Sequence, residues 1–126
     1  MVFESAVSHI GLNVSNFNKS KAFYEELMQI LGREKCLDIP DIYCGWAGFS
    51  FGIQGTAEER VSKNVHVAFV AKSKEQVDAF YDKALSLGAT CNGKPGVRPE
   101  YSSVAEYYAA FVHDLEGNNI EAVFMQ

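Results

Sequence analysis

Two histidines and one glutamate are the side chains whose types and spacing could do chemistry in this sequence. His9 and His66 open two alternating segments 57 residues apart, and Glu121 lies in a third segment near the C-terminal end. Two neutral imidazoles and one carboxylate would leave positions on a divalent ion open to water and substrate. That openness separates a catalytic metal centre from a closed structural one. Each residue alone would pass for a packed or solvated strand residue, and Glu121 by itself could pair with Arg98. Their sharing one face is what singles them out.

In residues 7–14, Ile10, Leu12 and Val14 alternate with His9, Gly11 and Asn13. In 65–71, Val65, Val67 and Phe69 alternate with His66, and in 119–125 Ile120, Ala122 and Phe124 alternate with Glu121. Successive strand side chains point to opposite faces. A helix must cover the apolar set, so His9, His66 and Glu121 belong to the opposite, concave face. A carboxylate buried there without a cation would be costly. The three are therefore metal-ligand candidates, with Glu121 or a metal-bound water moving the proton. Such a donor set suits zinc, nickel, iron or manganese alike.

The elements that must position these residues occur twice. With His9 aligned on His66, Ile10 meets Val67, Ala22-Phe23-Tyr24 meets Ala79-Phe80-Tyr81, and each segment ends in a glycine, Gly32 or Gly88. Helical periodicity explains the apolar matches but not an identical tripeptide in register with an identical histidine. Each copy reads as βαβββ. A strand over 7–14 leads to a helix over about 18–31, then strands near 33–37, 42–47 and 49–54. A strand over 65–71 leads to a helix ending at Leu87, then strands near 89–92, 106–113 and 119–125. Ser73 with Gln76 three residues on is a capping-box signature, and Asp114 to Asn118 make the last hairpin turn. Asn92 to Pro99 reads as a turn-rich loop, and its Gly93-Lys94-Pro95-Gly96 lacks the spacing of a phosphate-cradling loop. His113, beside Asp114, reads as a surface residue.

Composition narrows the function classes. The 126 residues suit one domain with a real core, and 48% of them are apolar. A net charge of −5 gives no basic face for nucleic acid, and the scattered cations do not suit an anionic membrane surface. Cys36, Cys44 and Cys91 are odd in number and far apart, as expected of reduced thiols in the cytoplasm. The first twelve residues contain no signal-peptide pattern.

Paired βαβββ modules, a histidine on the first strand of each, Phe-Tyr in each helix and a closing Asp114-x-x-Gly117-Asn118-x-Ile120-Glu121 resemble the vicinal oxygen chelate superfamily. It includes glyoxalases, bleomycin-resistance proteins, fosfomycin-resistance enzymes and extradiol dioxygenases. The resemblance covers nearly the whole chain, and Asn92 to Pro99 followed by Tyr107 to Val112 is similar to a glyoxalase-like branch. It implies an α+β fold in a single domain of residues 1–126, with modules of about 1–58 and 59–126. A curved eight-stranded sheet would surround a cleft, with helices outside. It implies metal positions at His9, His66 and Glu121, and a homodimer.

The departures from the superfamily pattern are specific. Glyoxalase I takes a further carboxylate from the last strand of its first module, but the counterpart of Glu121 falls near Gly52, with no Asp or Glu over 47–57. Ring-cleaving and fosfomycin enzymes carry a tyrosine where this chain has Phe111, and the dioxygenases a histidine where it has Phe51. The resemblance thus implies a glyoxalase-like divalent-metal enzyme with lyase or isomerase chemistry on vicinal oxygens of a small substrate, a thiol conjugate among the options. Trp46, Phe51, Tyr107 and Phe111 would wall the pocket, with Arg98 and Tyr101 on a loop over its mouth. The alternative is a metal-free module that sequesters a small aromatic or cationic drug, as bleomycin-resistance proteins do. A third reading is a structural member with an empty site.

Overall fold

The computed structural model describes residues 5–53 and 60–126. The expected module boundary at 58/59 and the strand end at Gln54 lie outside the described residues. The first module runs β1 (Ile10–Asn13), α1 (Phe17–Ile30), β2 (Lys35–Ile39), β3 (Tyr43–Trp46) and β4 (Phe49–Gly52). The second runs β5 (His66–Val70), α2 (Lys74–Ser86), β6 (Thr90–Val97), β7 (Tyr107–His113) and β8 (Asn119–Met125). The eight expected strands form two four-stranded sheets with the same order, β1-β4-β3-β2 and β5-β8-β7-β6. In each the first strand lies parallel to the last. Identical order in both sheets is what a duplicated module must produce. Among the described residues the ladders close within each module, so one chain presents two concave faces.

Both helices are specified at their ends as well as along their apolar stripes. Asn16 caps α1 by accepting from Lys19 N at 3.1 Å, and Ser73 caps α2 by accepting from Gln76 N at 3.1 Å. The capping box is displaced by one residue, because the Gln76 side chain accepts from Lys72 N at 2.7 Å. At the other end Gly32 N donates to Gln29 O and Arg33 N to Met28 O, while Gly88 N donates to Leu85 O and Ala89 N to Ala84 O. These are two copies of one C-terminal motif. The motif needs a left-handed residue just past the helix, supplied by Gly32 at φ 70° and Gly88 at φ 106°.

The helix-facing sides of both sheets share a single core. Phe23, Tyr24 and Leu27 of α1, Phe49 and Phe51 of β4, Val77 and Phe80 of α2, and Ile120 of β8 all belong to it. Phe49 meets Phe69 edge-on at 4.9 Å, which ties the modules together through aromatic packing. A buried polar network adds a second tie. The Tyr24 hydroxyl donates to Asp114 Oδ2, and Asp114 Oδ1 accepts from Glu116 N and Asn118 N at 2.9 and 2.8 Å. Asn118 then accepts from Val65 N and donates to Ser62 O, both at 3.0 Å. The segment read as a hairpin turn is therefore also a clamp between modules.

One element departs from expectation. The turn-rich stretch 92–99 is mostly strand, since β6 runs to Val97 with register shifts at Gly93 and Gly96. An edge strand bonds on one side only, which is why it tolerates Pro95. The sharp turn comes later, at a 3-10 segment over Pro99–Tyr101.

Candidate functional site

Glu121 sits in the middle of β8, opposite Ala68 on β5 and Phe111 on β7. Its neighbours Ile120 and Ala122 face the helix, so the pleat turns Glu121 to the concave side, where it is only 2% exposed. Both carboxylate oxygens have partners. His66 Nε2 lies 2.8 Å from Oε1, a hydrogen bond whichever group carries the proton, and the Tyr107 hydroxyl donates to Oε2. Burial first, and then the bond to Glu121, push the Tyr107 hydroxyl above its usual pKa, so it stays a donor. The His66 side chain is 52% exposed and joins this floor to solvent.

Tyr107 reaches Glu121 along the sheet. It pairs with Met125, and Ala109 and Val123 stand as a pair between it and Phe111–Glu121. A small residue at 109 leaves a lane for the phenol ring. Sequence reading placed Tyr107 only as a pocket wall. Its parity with Phe111 and Glu121 was the available signal for the hydroxyl's role.

The cleft above this floor has a volume of about 510 Å³ and is lined by His66, Asn92, Gly93, Arg98, Tyr101, Phe111, Asn119 and Glu121. Tyr101 meets Tyr107 and Phe111 edge-on at 5.3 and 6.2 Å, and the Arg98 guanidinium lies 5.5 Å from the Phe111 ring centre. Arg98, Tyr101, Tyr107 and Phe111 thus gather where His66 and Glu121 are. Asn92 and Asn119, bonded to each other at 3.1 Å, were not foreseen. A larger concavity of about 660 Å³ lies beside Ser15, Lys19 and Glu116. Among the described residues it holds no paired acid and base: Glu116 Oε1 accepts from Ser15 N at 2.9 Å, and Lys19 forms no ion pair.

The remaining candidates lie elsewhere. His9 precedes β1, on the first sheet, and lines a separate concavity of about 370 Å³ with Cys36, Leu37, Tyr43 and Ser50. Phe51 does not wall a cleft. It pairs with Leu12 and Cys44 on the helix side of its sheet, is 0% exposed and packs 5.4 Å from Tyr24. Trp46 packs in the same core, 6.4 Å from Phe49, and touches the His9 concavity at its edge. Both corrections follow from the pleat of β3 and β4. The ladders also move the counterpart of Glu121 from Gly52 to Ser50, since Gly11 pairs with Ser50 as Ala68 pairs with Glu121.

Among the described residues of one chain the candidate donors do not gather into a metal centre. His66 and Glu121 could supply two ligands, one short of the three protein ligands usual at a catalytic ion. Among the described residues no group of three His, Cys, Asp or Glu side chains gathers.

A family model described as Glyoxalase/Bleomycin resistance protein/Dioxygenase superfamily matches residues 6–122. A glyoxalase/bleomycin resistance protein from Albidiferax ferrireducens T118 superposes with a TM-score of 0.77 at 28% identity, covering 95% of this chain and 99% of its own. A glyoxalase/bleomycin resistance protein/dioxygenase family enzyme from Burkholderia phytofirmans PsJN gives 0.68 at 19%, over 97% and 100%. Lactoylglutathione lyase from Agrobacterium tumefaciens gives 0.63 at 18%, over 96% and 94%. The last two likenesses concern the fold. A search of curated proteins finds no significant match.

Proposed function

Because the chain belongs to the glyoxalase/bleomycin resistance protein/dioxygenase superfamily, we propose that it is an enzyme of glyoxalase type that transforms a small molecule in the cleft of its second sheet, with Glu121 moving the proton. The observation that carries this reading is the buried carboxylate held between His66 Nε2 and the Tyr107 hydroxyl at the floor of an open cleft. Glu121 takes a proton from a carbon beside a substrate oxygen, and the electron pair of that C–H bond passes to the oxygen as an enolate, which is then reprotonated. Tyr107, kept protonated, hydrogen-bonds the carboxylate throughout. Proton transfer of this kind contributes roughly 10²- to 10⁴-fold in rate and fits a lyase or isomerase.

A divalent ion would be held by His66 and Glu121 of one copy with His9 of a second. Bound there, it supplies Lewis-acid polarisation of two neighbouring substrate oxygens. The first sheet's concave face supports a homodimer, since Leu37 and Ile39 are 47% and 41% exposed beside His9's concavity and an open apolar face of this kind favours burial. The three cysteines are free, in keeping with a reducing cytoplasm. Among the described residues no helix is long and apolar enough to cross a membrane.

Metal analysis alongside sedimentation tests this reading. The wild type should be a dimer with about one ion per chain, as three protein ligands per site require. His9→Ala and Glu121→Gln should each lose the ion with an unchanged circular dichroism spectrum. A monomer that never retains metal would instead favour the second reading, a metal-free binding module. One observation speaks for that reading: both Glu121 oxygens already have protein partners, so the carboxylate is compensated without an ion.

A further inference from the structure

We infer that the cleft takes an anionic substrate, a small carboxylate with an apolar or aromatic body, and that Arg98 is its anion-binding residue. The inference rests on the cleft reading above and adds the substrate's charge. Arg98 is the permanently charged cation among the side chains lining the cleft. Among the described residues it forms no ion pair with any carboxylate, although Glu121 lines the same cleft. Among the described residues its side chain bonds from Nη2 to the Lys94 carbonyl at 2.6 Å. A neutral carbonyl orients the guanidinium without neutralising it, and among the described residues its other N–H donors have no partner.

The surrounding backbone is built to hold this group in place. Arg98 N donates to Tyr107 O at 2.7 Å, and Arg98 O accepts from Tyr101 N at 3.1 Å. Residue 98 is thus fixed to the strand that carries Tyr107 and Phe111. Two glycines make room for its head. A Cβ at Gly93 would lie 3.3 Å from Nη2 and 3.0 Å from Phe111 Cδ1, and one at Gly96 would lie 3.0 Å from Nη1. The Phe111 ring beneath the guanidinium and the exposed Tyr101 beside it offer flat apolar walls. Glu121 lies on the same cleft's floor, so the substrate is placed with its anionic end on Arg98 and its reacting carbon toward Glu121. A planar fork against a carboxylate gives a bidentate, charge-assisted contact.

Titration of the full ¹⁵N-labelled protein with three probes of similar shape tests this: benzoate, benzyl alcohol and benzamidine. Benzoate should shift the amides of Gly93, Phe111 and Asn119 and bind about tenfold or more tightly than benzyl alcohol, as hydrogen bonds to a charged group allow. Arg98→Gln, which keeps the backbone bonds of residue 98, should reduce benzoate to the level of benzyl alcohol and leave benzyl alcohol unchanged. Arg98→Lys should fall between. Equal binding of benzoate and benzyl alcohol in the cleft would overturn the inference and leave the cleft reading intact, as would a preference for benzamidine. Cleft amides that respond to none of the three would overturn both.

Discussion

Glu121, His66 and Tyr107 act as one unit, and its energetics are asymmetric. Burying a carboxylate is costly, and its hydrogen bonds with His66 Nε2 and the Tyr107 hydroxyl offset that cost. Removing a donor leaves a buried charge short of a partner, whereas removing the charge takes away the reason for the donors. Tyr107→Phe should therefore lower unfolding stability by about 1–3 kcal/mol. Glu121→Gln should cost less or nothing, since a neutral amide is cheaper to bury and can still accept from Tyr107. Urea unfolding of the two variants at pH 7, both stripped of metal so that ion loss does not enter, checks the order, and a Glu121→Gln variant less stable than Tyr107→Phe would contradict the network. Parity along β5 and β8 made the His66–Glu121 pair legible in the sequence. The hydroxyl that completes it was not, because it comes from a residue two same-face steps along a neighbouring strand.

At the scale of elements, the two modules repeat their helix stops as faithfully as their histidines. Gly32 and Gly88 hold left-handed backbone just past α1 and α2, a conformation that costs an L side chain about 1–2 kcal/mol. A methyl at Gly32 would meet only the flexible end of Lys72 at 3.8 Å, while at Gly88 it would press on Leu115 at 3.3 Å. Gly32→Ala should then cost about the backbone penalty, and Gly88→Ala visibly more, read as midpoints in urea at unchanged slope. Equal losses would show that Leu115 gives way freely. Helix periods and stops were plain in the sequence, since they depend on neighbours three and four residues away. Strand β6 was hidden because Gly93, Pro95 and Gly96 are turn residues by local chemistry, and only an edge position beside β7 makes them a strand.

At the scale of the whole molecule, Tyr24 and Asp114 join the first helix to the last hairpin. Burial above all, reinforced by the charge of Asp114 and the bond to it, pushes the Tyr24 hydroxyl well above its ordinary value. The sign follows from proton counts. Above the unfolded tyrosine value of about 10 the unfolded chain gives up a proton that the folded chain keeps, so stability falls as pH rises. Tyr24→Phe should weaken the protein at neutral pH by roughly 1 kcal/mol or more, for the lost bond and the orphaned Asp114 oxygen. It should also flatten the alkaline part of the stability curve between about pH 10 and 11. Thermal midpoints of both proteins from pH 7 to 11 measure this, and parallel curves would remove Tyr24 from the alkaline loss.

The sequence by itself determined the duplicated βαβββ modules, the facing of His66 and Glu121, and the two helix stops. All of these depend on alternation, helical spacing or an internal repeat, which are properties of short stretches of chain. Tertiary structure alone decided that His9 and His66 occupy separate concave faces, because strand parity fixes a side of a sheet but not which sheets come together. It also decided that Phe51 and Trp46 are core, that Ser50 stands opposite Gly11, and that the Tyr107 hydroxyl bonds Glu121. Those outcomes depend on ladder register and on packing between elements far apart in the chain, which local pattern does not encode.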